Sequence, residues 1–326
     1  MSEPAIAELS LIIDTDAGVD DALALMMALA HPRARVLAIT TVHGNVAVDQ
    51  VVRNVALVLE QMGREEIPIF PGAARPLVAP PLEGGSTAIM GEDGLGGATQ
   101  AYPAPRLAAA SEPAALALVR LARAHPGRFT LVALGPLTNL ALALRLDPGF
   151  PARVARLVVM GGAVEARGNT SPVAEFNILA DPEAAAVVFE AGFPQVWLLP
   201  WETTLAYPLA WETYTSWGRR DTPGARLLTR IGDHTAQVLQ DRFHTPGYLL
   251  PDPLAMAVAL DPDGVRDAPH VALRVETQGH WGRGLTAVDW QGHSGLSPNV
   301  HVVRDLDPDR AFQWLGRAVE DVHEEA

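Results

Sequence analysis

The chain has 326 residues, 48% apolar and 19% charged: enough apolar side chains for a full core, and too few charges for a disordered polyelectrolyte. A formal net charge of −14 argues against a nucleic-acid backbone or an anionic membrane as the main partner, and favours a neutral or cationic small ligand or a metal ion. With no cysteine, disulfides, thiolate zinc sites and cysteine nucleophiles are excluded.

The opening MSEPAIAELS has no basic segment and no long apolar run, so no signal peptide is expected. No apolar run reaches bilayer length, and the expectation is a soluble, cytoplasmic protein. LSLIID (9–14) reads as a buried strand and DDALALMMALA (20–30) as a helix with acidic residues in its first turn. RVLAITTV (35–42) is a second strand, and residues 46–63 carry apolar positions every three or four residues. The Pro/Gly-rich stretch 71–106 is long and irregular, a length at which loops are often functional. SEPAALALVRLARAH starts a helix with a Ser111 cap, and FTLVAL (129–134) leads into GPLTNLALAL (135–144). VARLVVMGG (154–162) precedes a loop, DPEAAAVVFEAG (181–192) is a helix capped by Asp181, and QVWLLP (195–200) is a strand. Beyond residue 200 the pattern turns more helical: a pair of helices within 208–243, another at 252–260, and a last one at 308–323. Short strands at 271–276, 284–290 and 300–303 complete the chain. No linker or repeat interrupts it. The expectation is a single α/β domain over 1–326, with a mainly parallel, Rossmann-like open sheet flanked by helices and a more helical C-terminal part.

DTDAGVDDA (14–22) places Asp14, Asp16, Asp20 and Asp21 together, with no Lys or Arg in the first thirty residues to offset them. Ligands of open α/β sheets bind outside the carboxyl ends of the strands, where Asp14 and Asp16, two apart on extended chain, face the same side. Asp20 and Asp21 open the next helix, whose N-terminus stabilises each charge by only about 0.3–1 kcal/mol. A hard divalent cation offsets such crowding, and all-oxygen ligation suits calcium or magnesium. The competing reading is an acidic helix cap with two solvated loop aspartates. An EF-hand lacks its ligand alternation and terminal Glu here.

DTDAGVDDA resembles the N-terminal signature of the nucleoside hydrolases (the inosine–uridine-preferring N-ribohydrolase family), with Ala17 where proline is usual. ITTVHGN (39–45), GEDGLGG (91–97), GPLTNLA (135–141), VVMGGAV (158–164), AEFNILADPEAA (174–185) and PDPLAMA (251–257) resemble further blocks in the family's order. The resemblance implies calcium-dependent hydrolysis of the N-glycosidic bond of ribonucleosides by a metal-activated water, through an oxocarbenium-like transition state. It implies one calcium ion held by Asp16, Asp21, Asp252 and the Leu134 carbonyl, with Asp16 also the general base and Asp14 orienting the ligands. Asp20 and Asn177 would grip the 2′ and 3′ hydroxyls, with Asn45 close by and Asp252 alongside. Asn169 and Glu175 would hold the 5′ hydroxyl, Met160 would lie near the sugar, and Phe176 would be an aromatic candidate at the base. Family members are commonly homodimers or homotetramers.

Two residues depart from the family pattern. Pro251 and Met90 stand where the better-known nucleosidases have histidines near the nucleobase. Positioned acid catalysis contributes roughly 10²–10⁴-fold, so the loss requires an account. His234 or His244, with Tyr248 nearby, could protonate the base; Trp201, Trp281, Phe176 or Tyr248 could activate a purine by stacking. The substrate could instead be a ribosyl compound whose leaving group needs less help. A catalytically silent ribose- or nucleoside-binding protein is the competing function. Glu202 in PWETT (200–204) and His43 in VHGN are polar residues near the expected pocket without an assigned role.

Overall fold

The structure, a computed structural model, describes residues 8–82 and 86–320. The first half of the chain gives β1 (Leu9–Thr15), α1 (Val19–Ala30), β2 (Ala34–Thr41), α2 (Val48–Gln61) and β3 (Ile69–Phe70). A long irregular stretch carrying the short α3 (Thr87–Met90) follows, then α4 (Ala114–Ala124), β4 (Thr130–Ala133), α5 (Thr138–Leu146) and β5 (Arg156–Met160). Next come α6 (Phe176–Ala180), α7 (Pro182–Phe189), β6 (Val196–Leu199), α8 (Trp201–Ala206), α9 (Trp211–Gly218), α10 (Pro223–Asp241) and α11 (Pro251–Leu260). The chain ends with β7 (Val265–Asp267), β8 (His270–Val275), β9 (Thr286–Asp289), β10 (Val300–Val302), β11 (Asp305–Leu306), α12 (Pro308–Ala311) and α13 (Gln313–Ala318).

A nine-stranded sheet runs β3-β2-β1-β4-β5-β6-β10-β8-β9. The first seven strands in that order are parallel; β8 runs antiparallel to β10, and β9 antiparallel to β8. Both faces are covered, which is why the central strands read as continuous apolar runs. Leu11, Ile13, Val132 and Val158 face the layer of α1, α2, α10, α11 and α13. Ile12, Leu131, Leu157 and Val159 face α4, α5 and α7. Strand order reverses between β1 and β4, so the crevice at their carboxyl ends is the topological switch point where ligands of this architecture bind.

Several details differ from the sequence reading. Ser111 does not cap α4; Pro113 holds that position with no side-chain bond. The helix expected at 308–323 is two short ones, α12 and α13, separated at Phe312, and residues 321–323 lie outside the described residues. Neither α6 nor α8 was expected, because five or six residues are too few to display a helical period. No helix among the described residues is long and apolar enough to cross a membrane.

Candidate functional site

The end of β1 delivers Asp14 and Asp16 to the crevice beside Leu134, whose N–H donates to the Asp14 carbonyl (2.8 Å). The chain turns there through Ala17, at φ +37°, a value the ring of the family's usual proline forbids. The Ala17 N–H also donates to Thr15 Oγ1 (3.1 Å), a bond proline lacks. Asp14 accepts from the Thr40 hydroxyl and from Asn139 Nδ2 (2.8 Å). Asp16 Oδ2 accepts from the Asn45 N–H (2.8 Å), an approach open only because residue 44 is glycine; a Cβ there would overlap the Asp16 carboxylate. Asp21, in the first turn of α1, accepts from the Thr15 hydroxyl, the Gly18 N–H (2.8 Å) and Asn45 Nδ2 (3.2 Å). Asp252 arrives from the first turn of α11.

Carboxylate oxygens of Asp20, Asp21 and Asp252 all lie within 4.8 Å of one another. The Asp21 carboxyl also contacts those of Asp16 and Asp252. The tight trio therefore contains Asp20 rather than the Asp16 expected from sequence. Asp16 stands against Asp21 because the Asn45 N–H holds its outer oxygen. All of these groups are buried, and Asp14 Oδ2, Asp16 Oδ1 and Asp20 Oδ1 have no hydrogen-bond partner. Among the described residues, the ion pairs engage other carboxylates, none of these. Burial consequently pushes Asp14 up to about 7 and Asp20 up to about 8. Asp16, Asp21 and Asp252 are raised as well, first by burial; for Asp16 and Asp252 the facing carboxylates add to it. Buried acceptors without donors, all of them oxygen, fit a hard divalent cation.

Above this floor lies a cavity of about 560 Å³, within the range of small-molecule sites. Asp20, Asn45, Leu134, Met160, Asn169, Glu175, Phe176, Asn177 and Asp252, the substrate residues expected from sequence together with Leu134, all line it. Asn177 Nδ2 donates to the carbonyls of Leu134 (2.7 Å) and Met160 (3.3 Å), which leaves its Oδ1 for a ligand. A carbonyl has two lone pairs, so Leu134 keeps one for a cation. Glu175 caps α6, accepting from the N–H groups of Asn177 (2.9 Å), Ile178 (3.3 Å) and Gly162 (2.8 Å), and burial raises it to about 7. Asn169 Oδ1 accepts from the Phe176 N–H (2.9 Å), tying the loop before α6 to that helix.

The far wall is apolar, with Met90, Trp201, Leu205, Leu239, Phe243 and Leu249. His234 and His244 do not line it and are corrected here as acid candidates. Both are exposed. The inward face of α10 presents Thr235 and Leu239, about 100° and about 140° round the helix from His234, and His244 turns away to bond the Gln240 carbonyl (2.9 Å) at φ +51°. Tyr248 is buried, its hydroxyl donating to the Gly232 carbonyl (3.1 Å), and Trp281 is 75% exposed; neither lines the cavity. Trp201 and Phe176 do.

Three residues acquire roles the sequence reading left open. Glu202 accepts from the N–H groups of Val164 (3.0 Å), Glu165 (2.9 Å) and Arg167 (3.4 Å), anchoring the loop that leads to Asn169 and Glu175. His43 bonds Thr138 Oγ1 (3.0 Å), whose hydroxyl donates to Asp181 (2.7 Å), and so braces the loop carrying Asn45. Asn139 donates to Asp14 and to the Thr41 carbonyl (2.9 Å) while accepting from the Ala73 N–H (2.8 Å). The available signal was its place just beyond the carboxyl end of β4.

A family model described as inosine-uridine preferring nucleoside hydrolase matches residues 11–313. A pyrimidine-specific ribonucleoside hydrolase RihA of Citrobacter koseri is 35% identical over 300 residues, covering 92% of this chain and 94% of its own. Among solved structures, an inosine-guanosine nucleoside hydrolase superposes with a TM-score of 0.89 at 33% identity, covering 96% of this chain and 99% of that one. A plant nucleoside hydrolase gives 0.88 at 32% identity with the same coverage. The relatives differ in the base they are named for, so the likeness carries the sugar chemistry and no base preference. This chain belongs to the inosine-uridine preferring nucleoside hydrolase family, enzymes that split ribonucleosides into ribose and base.

Proposed function

We propose that this chain is a calcium-dependent N-ribosyl hydrolase that takes a ribonucleoside to ribose and free base, with Asp16 as general base. The observation that carries the proposal is the buried, partnerless pair of oxygens, Asp16 Oδ1 and Asp20 Oδ1, at the switch point below a nucleoside-sized cavity. Asp16, Asp21, Asp252 and the Leu134 carbonyl would hold the ion, with Asp20 beside them. A bound divalent ion keeps these carboxylates ionised and lowers the pKa of a water molecule.

The chain's own groups then divide the work. Asp16 has one oxygen fixed by the Asn45 N–H and the other free, so it takes the proton of the attacking water in a single orientation. Asp14 and Asn139 hold the end of β1 in register beneath it. Asp20 and the Asn177 Oδ1 accept from the ribose diol, with Asn45 and Asp252 beside them. Asn169 and Glu175 receive the 5′ hydroxyl, Met160 lies under the sugar, and Phe176 flanks the base. Carboxylates and amide oxygens around the ring stabilise the positive charge that grows on the ribosyl group as the C1′–N bond lengthens. The proposal extends to a cytoplasmic homodimer or homotetramer, on the family resemblance alone. Incubation with uridine, inosine and guanosine tests it: free ribose and base are expected, and saturable binding without either product would establish a silent nucleoside-binding protein.

A further inference from the structure

We infer that this site releases its leaving group without a proton from the enzyme, so that ribosides already cationic at the base are its preferred substrates. The substrate class meant is N-ribosylpyridinium compounds and 7-alkylated purine ribosides. The inference rests on the N-ribosyl hydrolase reading above and narrows it.

The walls of the cavity carry it. Among the described residues, its ionisable members are Asp20, Glu175 and Asp252, all at the sugar end. The hydroxyls that line it have already given their protons to protein acceptors: Ser86 to Asn45 Oδ1, Thr170 to Asn169 Oδ1 (3.0 Å), Thr235 to the Ile89 carbonyl (2.9 Å) and Thr245 to the Gly247 carbonyl (2.8 Å). The rest of the far wall is hydrocarbon and aromatic, and the indole N–H of Trp201 can donate a hydrogen bond but is not an acid. His234 and His244 are exposed and outside the lining. The same wall suits a cation. Trp201 lines it, and no arginine does among the described residues, while carboxyl groups crowd its floor; the Phe243 ring already carries the Arg242 guanidinium, 5.3 Å from its centroid.

The electron count distinguishes the two substrate types. The water oxygen bonds to C1′ as the C1′–N bond breaks; that electron pair goes to the ring nitrogen, and one water proton passes to Asp16. An ordinary purine or pyrimidine then departs as an anion unless something protonates it. A pyridinium or 7-alkylpurinium base departs neutral.

The test uses the calcium-loaded full chain and two pairs matched in ring size: guanosine with 7-methylguanosine, and uridine with nicotinamide riboside. An enzymic acid levels each pair, whereas its absence preserves the intrinsic gap. Since positioned acids contribute roughly 10²–10⁴-fold, kcat/KM for the cationic member is expected to exceed that of its neutral partner by at least about 100-fold. A smaller ratio in a pair that is hydrolysed overturns the inference and leaves the N-ribosyl hydrolase reading standing. Failure to hydrolyse any of the four overturns that reading, and this inference with it.

Discussion

Removing the cation from the carboxylate floor makes folding stability fall as pH rises. Asp14, Asp16, Asp20, Asp21, Asp252 and Glu175 are buried, and burial holds all six above the ordinary carboxylate range. A carboxyl whose folded pKa exceeds its unfolded value holds its proton more tightly when folded. Its contribution is complete below the unfolded value and is lost as pH climbs through the folded one. With Asp14 at about 7 and Asp20 at about 8, the window runs from near pH 4 to about 8. Raising Asp14 from 3.8 to about 7 corresponds to about 4 kcal/mol in full. About 3 kcal/mol of that is titrated between pH 5 and 8. For 326 residues one degree of Tm is worth about 0.7 kcal/mol, so Asp14 alone lowers Tm by about 4 °C over that interval, and the other five act in the same direction. His31 and His43, held low by burial, act in the opposite sense near pH 6.5. They do so with or without calcium, so the difference between chelated and loaded protein isolates the floor. Thermal melts followed by circular dichroism from pH 5 to 8, in EDTA and in calcium, are the assay. The chelated protein should lose at least about 4 °C relative to the loaded one. A difference that stays constant or shrinks with rising pH would refute the reasoning.

Asp16→Asn keeps the shape of the side chain and removes its basicity; kcat should fall by roughly 10²–10⁴-fold, and a near-normal rate excludes Asp16 as the base. Glu202→Gln loosens the loop leading to Asn169 and Glu175 without touching the carboxylate floor, so KM should rise by about three- to tenfold while kcat changes by less than about twofold. Equal losses in both parameters would place Glu202 in the chemistry itself. His234→Ala and His244→Ala, on exposed side chains, should each leave kcat/KM within about threefold of the parent; a hundredfold loss in either restores it as the acid.

The alternation of strands and helices was legible because each central strand is buried on both faces and each long helix shows a stripe. Elements governed by single side chains were not. The helix α6 exists because Glu175 accepts three backbone N–H groups, and nothing in AEFN announces which. The floor was legible for an electrostatic reason: four carboxylates within eight residues, with no nearby cation, need a ligand. Which carboxylates come closest was not, since the Asp20–Asp21–Asp252 trio depends on α11 meeting the first turn of α1, more than two hundred residues away. The far wall was the least legible part. Thr235, Leu239 and Phe243 face the cavity through the rotation of α10 and the turn after it, and one residue of rotation separates Thr235 from the exposed His234.

The central claim, hydrolysis by a cation-dependent carboxylate floor, is tested most directly by measuring ribose release from one nucleoside before chelation, after exhaustive chelation, and after calcium is returned. The account predicts that activity is lost with the ion and restored by calcium while the protein remains folded. Undiminished ribose release from folded, metal-free protein would contradict it.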